Sequence, residues 1–63
     1  MDEFKLPDMT CGHCVATVTR AVQALDAAAK VEIDLPTHQL RVQSSQPRAA
    51  IAAALSEAGY PPA

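Results

Sequence analysis

The sequence predicts a small α+β domain in which two helices lie on one face of an antiparallel sheet. Two stretches carry apolar residues at helical spacing, and three short stretches alternate apolar with polar residues. The chain is only 63 residues long, about half the usual size of a domain, which leaves room for one site and a thin core. We therefore expect a single domain that spans residues 1–63.

A loop that contains both cysteines separates the first strand from the first helix. Phe4 and Leu6 alternate with charged residues, which predicts a short half-buried strand that Pro7 ends. After the loop, polar residues lie off a regular apolar stripe, so we expect an amphipathic helix over residues 12–25. The stripe is formed by Val18, Ala21, Val22 and Leu25.

A β-hairpin is predicted after this helix. Apolar residues alternate with polar ones over residues 31–35 and again over residues 40–43, with a turn at residues 36–39 between them. Because both runs place their apolar residues on one side, the hairpin should have one dry face. His38 lies in the turn and is expected to be solvated.

The second helix is predicted over residues 47–58. Serines ahead of Pro47 supply cap residues, and an apolar stripe ends at Gly59. Residues 60–63 contain two prolines, which restrict pairing in a sheet, so the last strand should be short or absent. This order of elements suits a ferredoxin-like βαββαβ sandwich. Its topology places the cysteine loop, the hairpin turn and Tyr60 at one end.

Charge and composition exclude several classes of function. Five basic against seven acidic residues give a net charge of −2 with no run of either sign, so no nucleic-acid surface is expected. No apolar run is long enough to cross a membrane and no leader-like segment opens the chain, so we expect a cytoplasmic protein without direct membrane insertion. In a reducing compartment, a cysteine pair is more often a metal or redox site than a structural disulfide.

The thiols of Cys11 and Cys14 are therefore the first candidate functional groups. At a junction between loop and helix they can converge on one ion, and two thiolates suffice for Cu(I). Structural Zn²⁺ normally takes four protein ligands, which would require His13 and His38 to turn inward. The helix start is expected to lower the pKa of the Cys14 thiol. Redox catalysis is disfavoured because the chain has no Trp and no room for a thioredoxin fold.

These residues also carry a family resemblance. Met9, Cys11 and Cys14 in the pattern Met-x-Cys-x-x-Cys, with Gly59 and Tyr60 near the end, resemble heavy-metal-associated domains, and among these the bacterial CopZ-like copper chaperones. The resemblance implies a carrier and not an enzyme, in which Cys11 and Cys14 bind Cu(I) and pass it by ligand exchange to the metal-binding domain of a copper-transporting P-type ATPase. A copper-bridged homodimer is a further partner that the resemblance suggests.

Other residues near the motif have supporting roles. His13 is expected to tune the charge near the thiolates, or to act as an additional ligand when two molecules share copper. Tyr60 should close the core and shield a cysteine sulfur. Met9 should fill the core under the loop, and Gly12 should permit bending of the loop. The expected docking surface is the exposed side of the loop and first helix: Thr10, Ala16, Thr17 and Arg20.

Several alternatives stay open at this point. One is the excised N-terminal metal-binding domain of a P-type ATPase, which Met1 and the short tail slightly disfavour. Another is mercury, since Hg²⁺ also takes two thiolates. Related zinc or cadmium sites add a carboxylate beside the cysteines, and Asp8 keeps that alternative open. A thiol-disulfide redox protein is the least favoured.

Overall fold

The computed structural model describes residues 2–63, and their elements follow the predicted order. These elements are strand β1 (Asp2–Lys5), helix α1 (Gly12–Leu25), strand β2 (Lys30–Asp34), a 3₁₀ turn (Leu35–Thr37), strand β3 (Gln39–Gln43) and helix α2 (Arg48–Glu57). Together they form the predicted ferredoxin-like arrangement of two helices against an antiparallel sheet. Within the described residues, neither helix has the length and apolar character needed to cross a membrane.

The sheet has β3 in its centre, paired antiparallel with β1 on one side and with β2 on the other. In the register of these pairs, Leu40 lies between Phe4 and Ile33. The neighbouring position of β3, Arg41, lies between two glutamates and is exposed. Because successive side chains of a strand point to opposite faces, one face of the hairpin packs on the core, as the alternation predicted. On this face the β3 side chains are buried and the β2 side chains are half-buried.

The core lies between the dry face of the sheet and the two helices. Each fully buried large apolar side chain in this core stabilises the folded state by about 1.5–3 kcal/mol relative to the same side chain in water. Within residues 2–63, no polar or charged side chain is buried. The largest fully buried side chains are Leu6, Met9, Leu40, Ile51, Leu55, Val18, Val22 and Val42.

The start of α2 differs from the prediction. The helix begins at Arg48, so Pro47 is its N-cap residue and not part of its first turn, and no side-chain hydrogen bond caps it. Ser44, one of the predicted cap residues, instead donates its hydroxyl hydrogen to Asp26 Oδ2 at 2.6 Å. The predicted serine cap was wrong because the N-cap position is Pro47, three residues later, and Ser44 Oγ instead accepts from the Gln46 N–H at 3.0 Å. Ser44 thus joins the end of β3 to the end of α1.

The hairpin turn lies one residue earlier than predicted, at residues 35–38 and not 36–39. Residues 35–37 form the 3₁₀ turn, and Gln39 already belongs to β3, opposite Lys5 and Asp34. His38 makes this possible because it adopts the left-handed conformation, with φ 59° and ψ 27°. The 3₁₀ turn and His38 together reverse the chain into the central strand.

The tail forms no strand within the described residues, in agreement with the prediction of a short or absent last strand. Its contact with the sheet is a hydrogen bond from Ala63 N–H to the carbonyl of Lys5 at 2.8 Å. Pro61 and Pro62 have no N–H to donate, so regular pairing with β1 cannot form there.

Candidate metal centre

The two cysteines lie on either side of the boundary between the loop and α1. Cys11 is the N-cap residue of the helix and is exposed, with an extended backbone. Cys14 lies in the first turn and is only 8% exposed. Their Sγ atoms are 3.2 Å apart, and neither cysteine is in a disulfide. One sulfur is thus held by the core, and the other lies at the surface.

The Cys14 thiol is unusually acidic. Its pKa is lowered from 9.0 to about 6, chiefly by the Tyr60 hydroxyl, then by a main-chain hydrogen bond at Thr10 and by the Cys11 thiol, while burial opposes the shift. The sequence predicted the direction from the helix start alone, where unpaired N–H groups favour an anion. The structure adds Tyr60 as the largest cause. Cys14 is therefore mainly a thiolate at neutral pH.

Tyr60 reaches the cysteines because α2 ends abruptly. Gly59 has φ +95°, a conformation that favours glycine. The Tyr60 N–H then donates to the carbonyl of Leu55 at 2.9 Å, a bond typical of helix C-termini. The interaction with Cys14, followed by burial, raises the pKa of the Tyr60 phenol. The phenol thus keeps its proton at neutral pH and can donate it toward the thiolate.

Met9 lies under the loop and has no exposed surface. Its N–H donates to the carbonyl of Leu6 at 3.0 Å, which closes a turn around Pro7 and Asp8. Leu6 is fully buried as well. The loop is thus anchored from below by two apolar side chains, and Met9 occupies the core position that the sequence predicted.

The predicted docking residues border the cysteine loop and follow one side of α1. Thr17 is half-buried and not exposed as expected, and its Oγ1 donates to the carbonyl of His13 at 3.1 Å. Gly12 is the first residue of α1, its φ lies outside the left-handed region, and a Cβ there would meet nothing within 4 Å. Its role in loop bending stays a prediction. Exposed residues of this surface are Thr10, His13, Ala16 and Arg20.

His38 is the residue whose environment the sequence predicted wrongly. It is half-buried and not fully solvated, and its Nδ1 lies 2.9 Å from the carbonyl oxygen of Met9. Topology placed its turn beside the cysteine loop, but the direction of the ring depends on the left-handed backbone. If a turn without Gly or Asn needs a left-handed residue, His is among the residue types that adopt this conformation most often, and His38 is the only such residue in the turn.

Only two strong donors converge at the centre. Within residues 2–63, no group of three or more His, Cys, Asp and Glu side chains is placed to hold an ion. His13 is exposed, the His38 ring faces Met9, and Asp8 approaches Cys14 through its main-chain oxygen, at 4.0 Å from Sγ. Two thiolates suit a soft ion of low coordination number better than structural Zn²⁺.

An ion between the two sulfurs requires the loop to open. Metal–thiolate bonds are about 2.3 Å long, so two of them across a 3.2 Å gap would meet at roughly a right angle. A wider angle needs a larger separation between the sulfurs. Cys14 is buried in the first turn of the helix, whereas Cys11 is exposed at its start, so Cys11 has more freedom to move.

Known proteins of similar sequence share this module. The family described as heavy-metal-associated domain matches residues 3–61. The chain is 36% identical over 59 residues to the copper chaperone for superoxide dismutase of Arabidopsis thaliana, covering 94% of this chain and 18% of that protein. It is 36% identical over 62 residues to copper-transporting ATPase 1 of Rhizobium meliloti strain 1021, covering 95% of this chain and 8% of that protein. The chain thus spans less than a fifth of the length of these relatives.

Solved structures show the same likeness through the whole fold. A crystal structure of a gold binding protein is 45% identical, with a TM-score of 0.92 and coverage of 95% of this chain and 92% of that chain. The copper chaperone Atx1 from Synechocystis PCC6803 is 30% identical, with a TM-score of 0.98 and complete coverage of both chains. The chain therefore belongs to the heavy-metal-associated domain family, and its fold is similar to that of solved copper chaperones.

Proposed function

We propose that this chain is a Cu(I) carrier in which Cys11 and Cys14 hold the ion as a bis-thiolate. The main support is the pair of sulfurs 3.2 Å apart, one buried and one exposed. Cu(I) prefers thiolate ligands, and a Cys14 pKa of about 6 means that one thiolate is already present at neutral pH. We place the carrier in the cytoplasm, where a reducing environment keeps both thiols available.

Release proceeds by ligand exchange. An incoming thiolate of the acceptor binds the ion while both carrier sulfurs still hold it, and the exposed Cys11 sulfur then leaves first. Cys14 leaves last, as a second acceptor thiolate replaces it. The Tyr60 hydroxyl stabilises the negative charge that returns to Cys14, which favours release without a free ion in solution.

The proposed acceptor is the metal-binding domain of a copper-transporting P-type ATPase. Support comes from the 36% identity to the Rhizobium meliloti ATPase over 62 residues. Two similar sites exchange copper with a small free-energy difference, so transfer is reversible and a transient complex suffices. The proposed docking surface is Thr10, Ala16, Thr17 and Arg20. A copper-bridged homodimer is the same exchange between two copies of this chain, with the exposed His13 as an extra ligand.

An anaerobic titration of the reduced protein against a chromophoric Cu(I) chelator tests the proposal. We expect stoichiometric capture by the natural chain and a loss of roughly 100-fold or more in affinity for Cys11→Ser and for Cys14→Ser. Met9→Leu is the matched control, since it removes the nearby thioether at almost constant volume and should change affinity by less than about threefold. Retention of Cu(I) by both serine variants, or stronger binding of Zn²⁺ than of Cu(I), would contradict the proposal.

A second cargo is supported by one neighbour, the gold binding protein with 45% identity. Au(I) is also a soft monovalent ion, and two thiolates suit it for the same reason. Native mass spectrometry of the chain with equal concentrations of Cu(I) and Au(I) decides between them. Predominant gold adducts would assign the site to Au(I), and predominant copper adducts would support the copper carrier.

A second role is a metal-binding module within a longer transport protein, supported by the match to 8% of the Rhizobium meliloti ATPase. Immunodetection in native cells separates the two roles. A band of about 7 kDa, close to the 6.6 kDa of this chain, supports the free carrier, and a much larger membrane-associated band supports the module.

A further inference from the structure

His38 joins the hairpin turn to the cysteine loop. Its Nδ1 lies 2.9 Å from the carbonyl oxygen of Met9, 29 positions away in the chain. A carbonyl oxygen only accepts hydrogen bonds, so Nδ1 carries the proton and donates it. In return, the Leu6 N–H donates to the carbonyl of His38 at 2.8 Å. These two bonds clasp the loop at Leu6 and at Met9.

The imidazole bond has no equivalent elsewhere in the loop. Across residues 2–63, it is the only hydrogen bond that ties the main chain of residues 7–11 to a residue more than six positions away. The other bonds are local, such as Met9 N–H to the carbonyl of Leu6. The loop is thus held up to Met9, while Thr10 and Cys11 beyond it are exposed.

The backbone of His38 makes this bond unusual. His38 is the only non-glycine residue with positive φ in residues 2–63. Non-glycine residues are uncommon in the left-handed region, and His, like Asn and Asp, is found there more often than most of them. Such an outlier next to a binding site is a reason to ask what it holds in place. Here the left-handed residue places its ring nitrogen 2.9 Å from the carbonyl oxygen of the residue two positions before Cys11.

We propose that His38 is a positioning residue for the metal site, which holds the Met9 carbonyl and confines the opening of the loop to Thr10 and Cys11. This inference rests on the proposed metal binding by Cys11 and Cys14. With Met9 clasped and Cys14 fixed by α1, the Cys11 sulfur moves from its 3.2 Å separation to a wider one while the loop stays folded. Compared with a loop that His38 does not hold, fewer residues lose conformational freedom when the ion binds, so the affinity for the ion is higher.

Two variants of His38 isolate the imidazole bond. His38→Gly and His38→Asn both suit the left-handed backbone, but only Asn offers a short side-chain donor. In the metal-free protein, we expect His38→Gly to speed amide hydrogen exchange at residues 10–12 by about fivefold or more. In the chelator titration it should weaken Cu(I) binding by about three- to tenfold. His38→Asn should restore most of both properties.

Thr37→Ala is the control for a loosened turn. Thr37 Oγ1 donates to Asp34 Oδ2 at 2.9 Å and has no hydrogen bond to the loop, so loop exchange and Cu(I) affinity should stay within about twofold. The inference is overturned if His38→Gly behaves like the natural chain, if Asn gives no rescue, or if Thr37→Ala has the same effect. The hydrogen-exchange measurement needs no metal, so it tests the role of His38 in the loop even if the proposed Cu(I) binding is wrong. The titrations of Cys11→Ser and Cys14→Ser test that Cu(I) binding separately.

Discussion

The two ends of the sandwich each hold an anionic side chain, and they treat it differently. At the end away from the cysteines, the Asp26 carboxylate accepts hydrogen bonds from Ser44 Oγ at 2.6 Å and from Ala28 N–H at 3.0 Å. At the loop end, the Cys14 thiolate is stabilised chiefly by Tyr60, and its sulfur neighbour is the exposed Cys11.

The difference shows how an anionic side chain that only stabilises the fold differs from one that is available to bind a ligand. The chain itself supplies hard N–H and O–H donors to Asp26, which closes α1 onto the end of β3 and leaves no role for a ligand. Cys14 keeps a soft sulfur beside a second soft sulfur that solvent can reach. In the proposed function, this pair of sulfurs is where the ion binds once their 3.2 Å separation widens.

The largest expected effect concerns the acidity of Cys14. In the metal-free protein, alkylation of Cys14 by iodoacetamide should titrate with a midpoint near pH 6, because the thiolate is the reactive form. Tyr60→Phe removes the largest stabilising interaction, so the midpoint should rise. Peptide mass spectrometry of samples quenched between pH 5 and 9 measures it. An unchanged midpoint in Tyr60→Phe would show that Tyr60 does not lower the pKa of Cys14.

The same shift predicts how stability depends on pH. The pKa of Cys14 in the folded chain, about 6, lies below its ordinary value of 9.0. The thiolate therefore stabilises the fold fully above pH 9, and this contribution is lost as the pH falls through 6. Urea unfolding of the natural chain should show this dependence between pH 6 and 9, and Cys14→Ser should lack it. Parallel curves for the two proteins would contradict the prediction.

A smaller effect is expected at the helix end that places Tyr60. Gly59→Ala should lower the free energy of unfolding by about 1–2 kcal/mol, because φ +95° is unfavourable for a residue with a Cβ. Gly12→Ala is the matched control, since it lies in a helix with open space around it and should be neutral or stabilising by up to about 1 kcal/mol. Urea unfolding measures both, and equal losses would refute this reading of Gly59.

The smallest effect should come from the opposite end. Ser44 is the largest cause of the lowered pKa of Asp26, so Ser44→Ala should raise that pKa toward 3.8 and destabilise the protein slightly at neutral pH. The stability difference should shrink as the pH falls below 3.8, where the carboxylate takes up its proton in both chains. NMR titration of Asp26 and acid unfolding measure these changes. A change in Cu(I) affinity in Ser44→Ala would contradict the view that the Asp26 end has only a structural role.

The sequence by itself determined the elements, their order and the family motif. Alternation in β3 and the apolar stripe of α1 are local patterns, and they predict which face of each element is buried because burial of apolar area dominates folding. The spacing of Cys11 and Cys14 at a helix start likewise predicts two converging sulfurs, and the topology predicts that Tyr60 lies near them.

Only the tertiary structure decided which polar partners meet. Ser44 bonds Asp26 across 18 positions instead of capping α2, and His38 bonds Met9 across 29 positions instead of facing solvent. These choices depend on side-chain directions and on a single left-handed residue, and competing hydrogen bonds there differ by only about 1 kcal/mol. No periodic pattern in the chain records so small a difference, so it appears only when distant segments are brought into contact.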